Sequence, residues 1–275
     1  MEVIIIGNGF DLNLGFKTSY IDFIASEPFK KLYEDNNRIA KLLKEKVSSN
    51  NWIDVETELA LYSQSLTGKY NYHAGAAEAK NIQEAYATLS EALVSYLRSL
   101  DYTVYNKESD AYNLINGIQT ECTIIDFNYT PTLQNIIKDT GKGFYGVNVV
   151  KVHGSIEEGK GIVFGVSDKA PIHPEHVFFR KGYSPFLDCN IFNQALSNAS
   201  KVSFFGYSLG DMDHTYFYDY FSHLCMPNSN FMRNINIHYY GEESYSRLFK
   251  QLELLSSQRL TSLKKNHSIK LIEVK

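Results

Sequence analysis

Polar residues and glycines cluster directly after four apolar stretches of this sequence. The clusters are 7–11 (Gly-Asn-Gly-Phe-Asp), 128–130 (Asn-Tyr-Thr), 153–155 (His-Gly-Ser) and 206–211 (Gly-Tyr-Ser-Leu-Gly-Asp). Each preceding stretch is short and rich in β-branched or aromatic residues, which is typical of a buried parallel strand. Because ligands bind beyond the carboxyl ends of parallel strands, the four clusters together predict one binding site.

The first cluster has the form of a nucleotide-binding turn. Gly7 and Gly9 allow backbone N–H groups to approach a phosphate closely. The same turn also holds Asn8, Phe10 and Asp11, which are candidate contacts if a dinucleotide binds there. Leu12, however, stands where dinucleotide-binding turns commonly carry a third glycine. Two interpretations stay open from these residues alone: a dinucleotide site, or a tight strand-to-helix turn.

The second and third clusters supply groups suited to acid–base chemistry. Asn128, with Tyr129 beside it, could form a helix cap or an Asx turn, or it could bind a ribose or hold a water molecule. His153 follows Val-Val-Lys-Val and precedes a glycine, which leaves room for a ligand. A histidine there is either structural or a general base, since its ordinary pKa lies near neutrality.

The fourth cluster combines a permissive backbone with two hydroxyl groups, from Gly206, Tyr207 and Ser208. Asp211 could cap the following helix or orient a ribose. The cluster also fits Gly-x-Ser-x-Gly, so a serine hydrolase is an alternative, with Ser208 as nucleophile and His153 or His214 as base. In such hydrolases the histidine comes late in the chain, which argues against this alternative.

Two histidines suggest a metal site at first sight. They are His173 and His176, in a His-Pro-Glu-His stretch. The proline, the loop setting and the lack of an obvious third ligand favour a plain loop, so we expect no metal.

The order of elements predicts an α/β protein with a Rossmann-like parallel sheet. Strands are expected at 2–6, 122–127, 147–152, 162–164, 201–205, 235–240 and 269–274. Residues 20–118 show helical spacing, with helices expected at 20–25, 29–48, 52–65 and 75–100. We therefore expect a single domain over 1–275 that carries a helical insertion subdomain at 20–118.

Composition excludes several classes of protein. Hydrophobic residues make up 44% of the 275 residues, which is enough for a substantial core. The net charge of −4 and the lack of a basic block argue against nucleic-acid binding. Three cysteines without a CxxC pair argue against a disulfide framework or a cysteine zinc site. With no apolar stretch near the roughly 20 residues that span a membrane and no signal-peptide pattern, we expect a cytoplasmic protein.

Five motifs in order resemble the AbiH family of phage abortive-infection proteins. They are NGFDLNLGFKTSY, NWIDVETEL, FNYTPTL, KVHGSI and FFGYSLGDMD, which span residues 8 to 213. More distantly, the set of strand ends is similar to sirtuin-like domains, which bind NAD. The resemblance therefore implies a sirtuin-like, Rossmann-like fold with a helical subdomain.

The resemblance also implies an activity. Sirtuin-like proteins of phage defence hydrolyse NAD with an asparagine and a histidine at the strand ends, which correspond here to Asn128 and His153. The turns at 7–11 and 206–211 would form the two walls of the NAD site. Thr130 stands where many sirtuin-like proteins have an acid, and the sequence lacks their four-cysteine zinc module. Protein deacylation is accordingly not expected.

The leading hypothesis is an antiphage protein that takes NAD as substrate or ligand, without a metal, and releases nicotinamide and ADP-ribose. A non-catalytic nucleotide-sensing module of a defence system is the main alternative. A phage-derived trigger, a defence partner protein and a homo-oligomer are all compatible with either hypothesis.

Overall fold

The computed structural model describes residues 1–49, 54–68, 72–157, 159–226 and 232–275. The first three residues of the 51–59 motif, including Trp52, lie outside the described residues. Internal contacts divide the chain into two compact units. The sheet unit comprises Met1–Phe16, Tyr102–Ser155 and Asp188–Lys275, and the helical unit comprises Lys17–Asp101 and Ile156–Leu187.

Among the described residues, six parallel strands form one sheet in the sheet unit, which confirms the predicted parallel sheet although the sequence led us to expect seven strands. They are β1 (Glu2–Ile6), β2 (Cys122–Asp126), β3 (Val147–Lys151), β4 (Lys201–Phe205), β5 (Asn234–Tyr239) and β6 (Ser268–Glu273). Their order across the sheet is β3-β2-β1-β4-β5-β6, which is the order of a Rossmann fold. The central strand β1 has a fully buried apolar run from Val3 to Ile6.

Twelve α-helices accompany the strands in the described residues. In chain order they are α1 (Asn8–Asn13), α2 (Tyr20–Ala25), α3 (Glu27–Glu34), α4 (Arg38–Ser49), α5 (Val55–Ser65), α6 (Tyr72–Arg98), α7 (Asp110–Asn116), α8 (Thr132–Thr140), α9 (Phe192–Asn198), α10 (His214–Leu224), α11 (Gly241–Leu255) and α12 (Leu260–Asn266). Helices α2 to α6 belong to the helical unit and the others to the sheet unit.

The helices of the sheet unit form two groups. α7 contacts α1 and α8, whereas α10 contacts α9, α11 and α12. The chain moves from β1 through β2 to β3 towards one edge of the sheet, and from β4 through β5 to β6 towards the other edge. Because such crossovers are right-handed, these opposite directions place the two groups of helices on opposite faces of the sheet. The direction of the crossovers therefore reverses between β1 and β4. In sheets of this kind, ligands bind in the crevice at the point of reversal.

The stretch 20–118 contains α2 to α7 and no strand among its described residues. The helical unit also takes in Ile156–Leu187, while α7 lies in the sheet unit. The helix expected at 20–25 is confirmed as α2. A capping box fixes its N-terminus: Ser19 Oγ accepts the N–H of Asp22 at 3.1 Å, and Asp22 Oδ2 accepts the N–H of Ser19 at 3.2 Å.

Two sequence predictions are wrong. The helix expected at 29–48 is interrupted at Asn36, whose φ is 62°, and α4 is capped by Asn37, whose Oδ1 accepts from the N–H groups of Ile39 and Ala40 at 3.0 Å. The strand expected at 162–164 does not form. The stretch is instead a loop of the helical unit in which Val163 and Phe164 are buried. The Phe164 carbonyl accepts a hydrogen bond from the Tyr86 hydroxyl instead of from a neighbouring strand.

None of the helices in the described residues is long and apolar enough to cross a membrane.

Candidate functional site

The four polar clusters follow four neighbouring strands, as the sequence predicts. Ile6 of β1 pairs with Asp126 of β2 and with Phe205 of β4, and Asp126 pairs in turn with Lys151 of β3. The last residues of β3, β2, β1 and β4 therefore form one row across the sheet. The clusters begin immediately beyond this row, so residues far apart in sequence share one edge of the sheet unit.

The turns after β1 and β4 meet backbone to backbone at the reversal point of the sheet. Gly9 N–H donates to the Gly206 carbonyl at 2.9 Å, and Gly7 N–H donates to the Phe205 carbonyl at 3.1 Å. The Phe10 N–H donates to the Gly7 carbonyl at 2.8 Å. These glycines thus allow close packing between the two turns, and the amides of Gly7 and Gly9 are already hydrogen-bonded within the protein.

Residues of the two turns differ in exposure. Phe10 and Asp11 have no exposed surface, and the Phe10 ring packs edge-on against Phe205. In this conformation they support the turn from inside the sheet unit. Asn8 and Ser208 are exposed, as is Asp211, the first residue of a short 3-10 helix. Their side chains are therefore the accessible polar groups of the two turns.

Asn128 is held at both its backbone and its side chain. Its N–H donates to Asp126 Oδ1 at 2.8 Å, and its carbonyl accepts from Lys151 Nζ at 2.9 Å. Its side-chain Nδ2 donates to the Gly7 carbonyl at 3.1 Å, and the residue is 7% exposed. The amide thus joins the β2 loop to the β1 turn.

His153 lies in an aromatic environment next to this loop. Its Nε2 is 3.2 Å from the Tyr216 hydroxyl, and its ring stands perpendicular to Phe127 with the centroids 4.9 Å apart. Phe127 also packs against Tyr207, at 4.6 Å between centroids. With the residue only 5% exposed, the imidazole is oriented by its neighbours. Tyr216 is the hydroxyl partner that the sequence did not predict.

Two buried carboxyl groups lie under the site with different partners. Burial raises the pKa of Asp11 to about 7; the hydrogen bond from Thr130 Oγ1 to Asp11 Oδ2, at 2.6 Å, opposes this shift, and the neighbouring Asp126 carboxyl adds to it. Burial also raises the pKa of Asp126, while Lys151 acts in the opposite direction from 2.9 Å. Asp11 Oδ1 accepts no hydrogen bond from the described part of the chain.

Sequence reasoning missed Asp126 and Lys151 as parts of the site. The signal was present, because each is a charged residue at the end of a mainly apolar strand. Because charged residues are almost never fully buried without a partner, each residue indicated that a partner exists, but not which residue that partner is.

The serine-hydrolase alternative receives little support. His153 contacts Tyr216, and His214 Nε2 lies 2.7 Å from Gln251 Oε1, so both candidate bases have a partner other than Ser208.

The His-Pro-Glu-His stretch lies in the helical unit, where His176 Nδ1 is 2.8 Å from Ser63 Oγ. Burial lowers the pKa of His176 to about 4. No group of three metal-binding side chains occurs among residues that the structure describes.

Comparison with protein families finds a match over most of the chain. A family model described as "Bacteriophage abortive infection AbiH" matches residues 3–234. This match covers β1 to β4, all four polar clusters and the helical unit. No curated protein matches the chain.

Proposed function

The chain belongs to the AbiH family of bacteriophage abortive-infection proteins, and we propose that it defends an infected cell by binding NAD at the carboxyl edge of its sheet and hydrolysing it to nicotinamide and ADP-ribose. The family match supports the role in abortive infection. The choice of NAD and of hydrolysis comes from the resemblance of the strand ends to sirtuin-like domains, and the arrangement of the site supports it.

One observation carries the proposal. The ends of β3, β2, β1 and β4 lie in one register row, which brings His153, Asn128, the 7–11 turn and the 206–211 turn to the same edge. The two turns meet where the direction of the crossovers reverses, the position at which Rossmann folds bind dinucleotides. The candidate catalytic groups follow the adjacent strands β2 and β3.

The chemistry asks little of the protein beyond positioning. Water adds to the ribose C1′ while the C1′–N bond breaks, and nicotinamide leaves with the electron pair as a neutral molecule. The site must stabilise positive charge on the ribose and accept one proton from the water. His153 is the proposed proton acceptor, and Asn128 is proposed to orient the water or the ribose hydroxyls.

Recognition of the dinucleotide is assigned to side chains. Because the amides of Gly7 and Gly9 are engaged within the protein, they are not free to cradle a phosphate as in a dehydrogenase turn. The exposed Asn8 and Ser208 stand beside them and can donate to phosphate or ribose oxygens. Asp211, also exposed, can accept from a ribose hydroxyl.

Nicotinamide release from NAD tests the proposal. The purified chain, alone and with lysate of phage-infected cells, is expected to release nicotinamide, and His153→Ala and Asn128→Ala are expected to lower the rate about 100-fold or more. Matched controls are His223→Ala and Asn193→Ala, which change exposed residues on α10 and α9. If infected cells keep their NAD and His153→Ala still protects them, NAD hydrolysis is not the defence activity.

A non-catalytic nucleotide sensor is the second candidate, and one observation favours it. Asn128 and His153 are both less than a tenth exposed and both already hydrogen-bonded, which suits a ligand-responsive scaffold as well as a catalytic pair. Titration calorimetry separates the two functions. NAD binding without nicotinamide release, in the presence of infected lysate, would favour the sensor.

A further inference from the structure

A buried ion pair joins the ends of β2 and β3 beneath the candidate site. Asp126 and Lys151 are the last residues of their strands and pair in register. Lys151 Nζ lies 2.9 Å from Asp126 Oδ2. The side chain of Lys151 is 14% exposed, and that of Asp126 is 1% exposed. Removing both charges from water is costly, so the pair requires further hydrogen bonds to offset that cost.

These further hydrogen bonds go to the loop that carries Asn128. Lys151 Nζ donates to the carbonyls of Asn128 and Thr130, at 2.9 and 2.5 Å. Asp126 Oδ1 accepts the N–H of Asn128 at 2.8 Å. The ion pair therefore binds both backbone polar groups of Asn128, one through each partner.

The same loop is fixed on its other side by the β1 turn. Thr130 Oγ1 donates to Asp11 Oδ2 at 2.6 Å, and Asn128 Nδ2 donates to the Gly7 carbonyl at 3.1 Å. With its backbone held by the ion pair and its amide held by Gly7, Asn128 has a single orientation. A displacement of the ion pair would move Asn128 relative to His153, which lies two residues after Lys151 in the turn that follows β3.

We propose that Asp126 and Lys151 are positioning residues of the site, which fix the loop after β2 so that Asn128 meets the ligand in its reactive orientation. This inference rests on the proposed function for its catalytic consequence. Neither residue is assigned a contact with the ligand. Their effect passes through the backbone of Asn128.

A second ion pair in the same sheet provides a matched control. Glu2 of β1 and Lys201 of β4 also pair in register, with Oε1 and Nζ 2.8 Å apart. This pair lies at the beginning of its strands, at the opposite end of the sheet from the site, and it is more exposed. Removal of its charges should leave the loop after β2 unchanged.

The test compares two double variants. Asp126→Asn/Lys151→Met removes both buried charges together, so no unpaired charge is left in the core and the fold is expected to survive. The control is Glu2→Gln/Lys201→Met. For the site variant we expect kcat for nicotinamide release to fall about 100-fold, with KM within about 2-fold, because a misplaced group costs most in the transition state. The control variant should keep both values.

A measurement without ligand separates this inference from the proposed function. The N–H of Asn128 should exchange with deuterium faster in the site variant than in the wild type or the control, since its acceptor on Asp126 is weakened. If the wild type releases no nicotinamide, the proposed function fails while the exchange rate still reports whether the pair fixes Asn128. Unchanged exchange at Asn128, or an unchanged kcat in the site variant, overturns the positioning role.

Should the double variant lose its cooperative unfolding transition, Lys151→Arg carries the same test. It keeps the charge but moves the donors away from the two carbonyls, because a guanidinium is planar and larger than an ammonium group. A lower kcat with a wild-type free energy of unfolding supports the positioning role. Wild-type values for kcat and for exchange at Asn128 contradict it.

Discussion

Gly9 and Gly206 pack against each other with no space for a side chain on either residue. A Cβ atom placed on Gly9 would lie 2.6 Å from Gly206 Cα, and one placed on Gly206 would lie 2.2 Å from the Phe10 nitrogen. Gly206 also has a φ of 61°, in the region that favours glycine. The contact fixes the turns after β1 and β4 relative to each other, so it determines the shape of the sheet edge.

Substitution at this contact should destabilise the protein. For Gly206→Ala we expect the free energy of unfolding to fall by more than about 2 kcal/mol, because the positive φ and the overlap with the backbone of the β1 turn add together. Urea unfolding measures the change. The control is Gly143→Ala, whose Cβ would meet only Ile137 Cγ2 at 4.0 Å and should cost less than about 1 kcal/mol. Equal effects of the two substitutions would show that the glycine contact is not tight.

Asp11 should make the stability of the protein depend on pH. Its pKa is about 7 when folded and 3.8 by its ordinary value, so between these values the folded state holds a proton that the unfolded state has lost. The contribution of Asp11 to the free energy of unfolding therefore falls as pH rises from about 4 to about 7, by up to about 1.4 kcal/mol for each pH unit. Above pH 7 both states are ionised and the contribution is constant.

Asp11→Asn removes this titration. Urea unfolding at several pH values between 4.5 and 7.5 should show the variant gaining stability relative to the wild type as pH rises. Asp219→Asn, which makes the same change at an exposed position on α10, serves as the control. A constant difference for Asp11→Asn would mean that the Asp11 carboxyl titrates near its ordinary pKa.

Glu56 and Lys181 form a buried ion pair in the helical unit. Glu56 lies in the described part of the 51–59 motif, residues 54–59. Their side chains are 14% and 4% exposed, with Oε2 and Nζ 2.8 Å apart. Glu56→Gln leaves the Lys181 ammonium without its countercharge, so we expect the free energy of unfolding to fall by about 3 kcal/mol. Adding Lys181→Met should restore part of this loss, since the unpaired charge is gone.

An exposed pair on α3 serves for comparison with this buried pair. Lys30 and Glu27 lie 3.4 Å apart on the surface, and Glu27→Gln should change the free energy of unfolding by less than about 1 kcal/mol. The expected role of Glu56 is refuted if Glu56→Gln costs no more than Glu27→Gln in the same urea titration.

Much of the sheet could be read from the sequence because its central strands are buried on both faces. The strands expected at 2–6 and 201–205 coincide with β1 and β4, because the residues after the first of each strand, Val3–Ile6 and Val202–Phe205, are buried. The same rule failed at 162–164. That run is buried in a loop whose carbonyl at Phe164 bonds to a side chain, and apolarity alone does not separate a buried loop from a strand.

The sequence by itself determined which residues stand at the strand ends, because burial of apolar strands forces polar residues and glycines to follow them. It thereby determined that Asn128, His153 and the two glycine turns share one edge. Only the tertiary structure decided which of these residues are exposed at that edge and which support it from inside the sheet unit. Asp11 faces inward and Asp126 pairs with Lys151 because strand register, set by packing between segments distant in sequence, fixes where each charge finds its partner.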